Sequence, residues 1–290
     1  MTTITLDQLA HDNRPTQFAL LNELVELFTG SPAITHLLVR GSLASGTSDR
    51  LSDIDLVVGV HDRQLPLLAE NLDALLSSSL GTLLPGWPDT IVAALGGCGW
   101  VYLIPHSGHL LQLDLYLAPS TAIASLQQRT GARLLLQRDG APCTAADTRA
   151  STTYLRAAAT SSPDARTLLV QSLIIHAMLR KRLLRNQPFI AYDLLGQLHT
   201  TLRDLIKITL APQSRHHGWY HLPDEVGRSP LGRGCLAELE AALAEPSIPT
   251  RAQADATVER IWRLAADLVP HAVAALAEAH ASYLTYQELA

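Results

Sequence analysis

Cysteine is scarce in this chain, and the three present, Cys98, Cys143 and Cys235, lie far apart with no Cys-x-x-Cys spacing. An odd, scattered set gives neither a disulfide framework nor a zinc site and fits a reducing compartment. No uninterrupted apolar run reaches membrane-spanning length. The opening MTTITLDQLAHDN has neither the basic start nor the apolar core of a secretory leader, so a soluble, cytoplasmic protein is expected. Positive charge is also in short supply: the net charge is −5 and the pI about 6.2. That balance argues against a long nucleic-acid groove, which is normally basic. The deficit is uneven, because residues 1–150 carry 8 Lys/Arg against 14 Asp/Glu whereas residues 151–290 carry 14 against 13. There is no internal repeat and no low-complexity tail.

What is present is concentrated in one stretch, LLVRGSLASGTSDRLSDIDLVVGV, from Leu37 to Val60. Two apolar, β-rich runs flank a Gly/Ser/Thr-rich segment. Gly41-Ser42, Ala44 and Gly46 lead to Ser52-Asp53-Ile54-Asp55. Asp53 and Asp55 are two residues apart at the mouth of an expected strand, so both side chains leave one face. Two carboxylates so placed repel unless a cation joins them. Hard oxygen ligands of this kind suit magnesium, which completes its shell with water and phosphate oxygens. The glycines let backbone N–H groups approach a phosphate, and the Ser42 hydroxyl adds a donor.

This pattern resembles the signature of the nucleotidyltransferase superfamily of DNA polymerase β, which runs Gly-Ser, a short Gly-containing helical turn, then Asp-x-Asp on the next strand. The superfamily needs a third carboxylate on a neighbouring strand. Asp114, in the apolar run HLLQLDLYLAP, fits by context, since an acid there is expensive unless paired or metal-bound. The resemblance implies magnesium-dependent transfer of a nucleoside monophosphate from a triphosphate, ATP above all, to a small-molecule hydroxyl. Asp53, Asp55 and Asp114 would hold two Mg²⁺ ions, or Asp114 would act as base. Gly41 and Ser42, with Arg40 as a weaker candidate, would hold phosphates. Within the superfamily the chain is most similar to the streptomycin-type aminoglycoside adenylyltransferases. An AMP-transferase acting on a protein, of the antitoxin kind, and a non-catalytic nucleotide sensor on the same scaffold are the alternatives.

The pattern along the chain gives an α+β fold: a small mixed sheet flanked by helices over residues 1–144, followed by an all-α bundle over 145–290. Strands are expected at Ile34 to Val39, Ile54 to Val60, Ile91 to Leu95, Val101 to Ile104, Leu110 to Leu117 and Arg133 to Gln137. The last is closed by the turn pair Asp139-Gly140. Helices are expected at 15–29 and Gln64 to Leu80. Beyond 145 they are expected at Asp164 to Asn186, Ile190 to Leu210, Leu236 to Ala244 and Gln253 to Tyr283, with Pro188, Pro212 and Pro270 as breaks. The resemblance implies that the nucleotide lies between sheet and bundle. Arg203 and Lys207, at i and i+4 of one helix face, are candidate phosphate ligands. In the segment RHHGWYHLPDEVG, Trp219, Tyr220, Asp224 and Glu225 offer an aromatic face and acids suited to a cationic sugar, or else Trp219 anchors a loop.

Overall fold

The computed structural model describes residues 3–89, 95–138, 142–244 and 248–286. The chain divides into two compact units, residues 1–161 and 162–290. The first is built on one mixed six-stranded sheet of order β3-β4-β5-β2-β1-β6. Its strands are β1 (Ile34–Val39), β2 (Ile54–Val60), β3 (Trp87–Asp89), β4 (Cys98–His106), β5 (His109–Pro119) and β6 (Arg133–Gln137). The expected strands at 34–39, 54–60 and 133–137 therefore form with those bounds. The run at 101–104 belongs to the longer β4, and that at 110–117 to the longer β5. Of the expected strand at 91–95, residues 91–94 lie outside the described residues, as does the turn pair Asp139-Gly140.

β2 and β5 are interior strands paired in parallel, and both are apolar almost throughout because both their faces are covered. The two faces are covered unequally. On one, Leu37, Val39, Leu56, Val58, Leu113, Leu115 and Leu117 pack with residues of α1 (Leu6–Asn13), α2 (Phe18–Thr29) and α4 (Leu65–Leu80) in the main core. On the other, among the described residues, Leu38, Val57, Tyr116 and Ala118 belong to the smaller cluster around α5 (Ile123–Thr130). Period-2 alternation then puts Asp55 with Val57, and Asp114 with Tyr116, on the thinly covered face.

β3 is a short edge strand carrying Pro88 opposite Trp100. The cluster of Pro85, Gly86 and Pro88 reads as a break, but an edge strand needs hydrogen bonds on one side only and tolerates proline. Helix α6 (Ala145–Thr160), expected with the bundle, belongs to the sheet unit, where Tyr154 and Leu155 pack against the main core. The division of the chain accordingly falls one helix later than residue 144.

Fully buried Asp62 ties this unit together behind β2. Its carboxylate accepts from Ser120 Oγ at 3.0 Å, Thr121 Oγ1 at 2.8 Å and Thr148 Oγ1 at 3.2 Å, joining the ends of β2 and β5 to α6. Burial alone would raise this carboxyl, but the Thr121 and Ser120 hydrogen bonds outweigh it and hold it below the usual range.

The second unit is helical: α7 (Ala165–Leu184), α8 (Pro188–Leu210), α9 (Leu222–Val226), α10 (Pro230–Leu243), α11 (Arg251–Leu268), α12 (Pro270–Ala275) and α13 (Ala277–Thr285). Pro188 and Pro270 occupy the first turns of α8 and α12, where the missing N–H costs nothing. Asp164 caps α7 by accepting from Thr167 N at 2.8 Å. The core is the packing of α7, α8 and α11 through residues such as Leu173, Leu198, Leu202 and Ile261. It also holds a polar link: His176 bonds Tyr283 Oη at 2.9 Å through Nδ1 and Asp255 Oδ1 at 2.7 Å through Nε2.

Asp62→Ala removes the buried acceptor shared by the part-exposed hydroxyls of Ser120, Thr121 and Thr148, so it should lower unfolding free energy by about 1–2 kcal/mol, read as a lower urea midpoint at unchanged slope. Because the folded carboxyl titrates low, its stabilisation is complete at neutral pH and is lost as pH falls below about 4.

Candidate active site

The β1–β2 connection delivers the carboxylates. Arg40 precedes α3 (Gly41–Ser45), a single turn. Gly41 has a φ of +61°, and a Cβ there would run into the Asp55 carboxylate, so both the backbone conformation and the close approach favour glycine. The rest of the connection is pinned from beneath. Gln17, almost fully buried, donates from Nε2 to the carbonyls of Asp49 at 3.2 Å, Arg50 at 3.3 Å and Ser52 at 2.9 Å. Asn13 Nδ2 holds the Leu43 carbonyl at 2.9 Å, and Asn13 Oδ1 accepts from Ser48 Oγ at 2.9 Å. Ser52 closes a turn with Asp49, accepting from Asp49 N at 2.8 Å. Asp53 follows immediately before β2. Asp53 and Asp55 are both half-buried while Ile54 between them is fully buried, the alternation of one shared face.

Asp114 is directly opposite Asp55 in the parallel β2–β5 register. The third carboxylate is therefore on an interior strand adjoining the Asp-x-Asp strand, not on an edge facing water. Burial, and next the Asp55 charge, push the Asp114 carboxyl up to about 7, against a lowering hydrogen bond from Gln112 Nε2 at 2.7 Å. Arg40 supplies the nearest positive charge. Its Nη2 is 3.3 Å from Asp55 Oδ1, and its guanidinium lies 4.3 Å from the centroid of the Tyr116 ring. Among the described residues Arg40 Nε has no hydrogen-bond partner.

A fourth acid, Asp89 on β3, belongs to the same neighbourhood. It accepts from Tyr116 Oη at 2.8 Å, and its charge also raises Asp114. Sequence reasoning passed over it because it adjoins the Pro/Gly break. The usable signal was its place before the apolar run that follows.

Among the described residues no three His, Cys, Asp or Glu side chains are gathered as ligands of one metal ion. The donor chemistry nevertheless fits a hard divalent cation. Asp55 and Asp114 are adjacent carboxylates whose mutual repulsion shows in the raised Asp114 value, and Asp53 flanks them in sequence.

Arg203 and Lys207 do share one face of α8, but that face is turned to the segment after it. Lys207 is 0% exposed. Its ammonium donates to the Gly218 carbonyl at 3.0 Å and pairs with Glu225 Oε2 at 2.9 Å. Arg203 pairs with Asp204 at 2.6 Å and lies 4.7 Å from the centroid of the Trp219 ring. The two cations grip the 215–227 segment, so Lys207 is a structural charge rather than an open phosphate ligand. Hydrogen bonds from His217 and Lys207 hold Glu225 down at about 2. In that segment Trp219 is anchored by Arg203 while Tyr220 is 78% exposed.

No family model matches the chain, and no curated protein matches it. No helix among the described residues is long and apolar enough to cross a membrane.

The raised Asp114 carboxyl binds its proton more tightly folded than unfolded, so its contribution is favourable near pH 4 and declines as pH rises through about 7. In chelator the melting temperature should fall between pH 5 and 8, and Asp114→Asn should flatten that fall. Adding Mg²⁺ at pH 8 should restore the wild-type value, which scanning fluorimetry checks directly. Glu225→Gln should strand the buried Lys207 charge and lower the melting temperature well beyond the surface-mutation range. The double variant Lys207→Met, Glu225→Leu should recover most of the loss.

Proposed function

We propose that the chain is a magnesium-dependent nucleotidyltransferase acting in the cytoplasm. It transfers a nucleoside monophosphate, AMP from ATP in the simplest case, to a hydroxyl of a small molecule of the aminoglycoside kind. The observation that carries this reading is the pairing of Asp55 with Asp114 across parallel strands, beside a Gly41 turn whose positive φ and close approach to the Asp55 carboxylate favour glycine.

In this reading Asp53, Asp55 and Asp114 hold the magnesium, which supplies charge neutralisation at the triphosphate and the acceptor oxygen. The backbone N–H groups of Gly41 and Ser42, the Ser42 hydroxyl and Arg40 bind the β- and γ-phosphates. The part-exposed Arg40 guanidinium, paired with Asp55 through Nη2, supports that role by bringing positive charge to the same acids. The acceptor oxygen attacks the α-phosphorus, a new P–O bond forms, and the bond to the β-phosphate oxygen breaks with release of pyrophosphate. The acceptor proton passes to a carboxylate. Asp114 and Asp89 are the two acids suited to take it, Asp114 because its carboxyl titrates close to neutral pH. Tyr116 orients Asp89 by its hydrogen bond, and Arg40 over the Tyr116 ring ties that pair to Asp55. One observation favours a second reading, a nucleotide sensor without turnover: the Arg40 guanidinium engages the same Asp55 carboxylate that the metal would need.

Purified protein with α-labelled ATP and Mg²⁺ against aminoglycosides, lincosamides and nucleosides tests the two together. Labelled product supports the enzyme, and tight ATP binding with no product on any acceptor supports the sensor. Asp53→Asn or Asp55→Asn should lower turnover about a hundredfold or more in a folded protein. Asp114→Asn should keep Mg·ATP affinity within about tenfold, ~1.4 kcal/mol, while turnover falls far more.

A further inference from the structure

We propose that Arg40 is an exchangeable internal cation, which pairs with Asp55 in the protein without nucleotide and moves to the triphosphate when nucleotide and metal arrive together. The protein without nucleotide is thereby guarded against taking up a divalent ion alone. This rests on the nucleotidyltransferase reading above and concerns the order in which that site is filled.

The stem of Arg40 is fixed, and its head is held more loosely. The Arg40 N–H donates to the Asp55 carbonyl at 2.9 Å, and the Arg40 carbonyl accepts from Ala44 N at 3.2 Å, so the backbone is tied to β2 on one side and to α3 on the other. The guanidinium reaches Asp55, among the described residues, through one hydrogen bond from Nη2 to Oδ1 at 3.3 Å. That is longer than a strong charge-assisted contact, and it is not the two-pronged pairing that arginine makes with a carboxylate at its best. The two side chains are 14% and 19% exposed, so the pair is shielded from bulk water without being sealed from it. The face of the guanidinium lies 4.3 Å from the centroid of the Tyr116 ring, a second resting place that does not depend on Asp55.

One carboxylate cannot serve both cations well. A metal ion held by Asp55 would stand beside a guanidinium of like charge, in a setting where repulsion is weakly screened. Arg40 has to give way, and the favourable exit is to another anion. The triphosphate proposed to lie at Gly41 and Ser42, the next residues in the chain, supplies it, and the planar fork of a guanidinium matches phosphate oxygens. Each arrival then removes an obstacle to the other, so nucleotide and metal raise one another's affinity by the same factor.

Manganese without nucleotide is the probe, titrated into the full chain with the unbound ion followed by electron paramagnetic resonance. Wild type should bind it weakly. Arg40→Met, which keeps the bulk and drops the charge, should bind it about tenfold or more tightly, and Arg40→Gln should do the same. Adding Asp55→Asn to Arg40→Met should abolish the gain. Arg133→Met, which removes a cation paired with Asp12 at 2.8 Å, should change nothing and so controls for net charge. In chelator, Arg40→Met should bind metal-free ATP about tenfold more weakly than wild type. The proposal is overturned if both neutral variants bind manganese no tighter than wild type, if Arg133→Met tightens it equally, or if metal-free ATP binding is unchanged. The nucleotidyltransferase reading survives each of those results. Both fall together if neither wild type nor Arg40→Met binds manganese through Asp55.

Discussion

Two carboxylates on adjacent interior strands are the constraint around which the sheet unit is arranged. Asp55 and Asp114 face each other in register on a half-covered surface, where burial and mutual repulsion oppose ionisation. The fold keeps them there by making everything beneath strongly apolar: the opposite face of β2 and β5 is a continuous core of Leu and Val. The local remedies are modest. Gln112 donates one hydrogen bond to Asp114, and Arg40 offers Asp55 an ion pair from a guanidinium stacked on Tyr116. Unfavourable charge kept in a well-packed setting makes this pair a candidate functional site.

The support for this arrangement comes from side chains that touch none of the acids. Gln17 draws three carbonyls of the 49–52 segment together, and Asn13 fixes the turn at Leu43 and Ser48. Both lie at helix ends in the first twenty residues, far from the motif in sequence. An irregular connection rich in Gly and Ser would otherwise be free to place Asp53 anywhere within several ångströms. These amides convert it into a fixed lead-in to β2, the kind of surrounding shell a precise constellation needs.

Much of the fold was legible because β1, β2 and β6 are short apolar runs between clear turn residues. Pro188 and Pro270 were legible as breaks, and they stand in the first turns of α8 and α12. What escaped did so for identifiable reasons. β3 hides behind Pro88, which an edge strand tolerates and an interior strand would not. Asp89 was missed with it. Helix α6 has the periodicity of a bundle helix, and nothing local reveals that Tyr154 and Leu155 pack on the sheet core. The i,i+4 spacing of Arg203 and Lys207 correctly put them on one face, but spacing does not say what covers a face. Here the 215–227 segment covers it, and Lys207 became an internal tether. The Gly41 turn and the places of Asp53 and Asp55 were readable, since their residue types and order already state a strand, a tight turn and a strand, whereas Asp114 was picked out by the resemblance and its apolar run.

The parallel pairing of β2 with β5 runs without irregularity from Ile54↔Leu113 to Val60↔Pro119. Side-chain direction reverses at each residue, so the separation of Asp55 from Asp114 can change only in whole steps. Inserting one residue inside either strand would turn one acid into the leucine core and bring a leucine to the surface. The loops that join α4, β3 and β4 in the chain between the two strands, by contrast, can change length without altering that pairing. Inheritance should therefore show rigid spacing within the paired strands and the core helix, with insertions and deletions confined to the loops between them, a pattern that any set of descendants of this chain would have to obey.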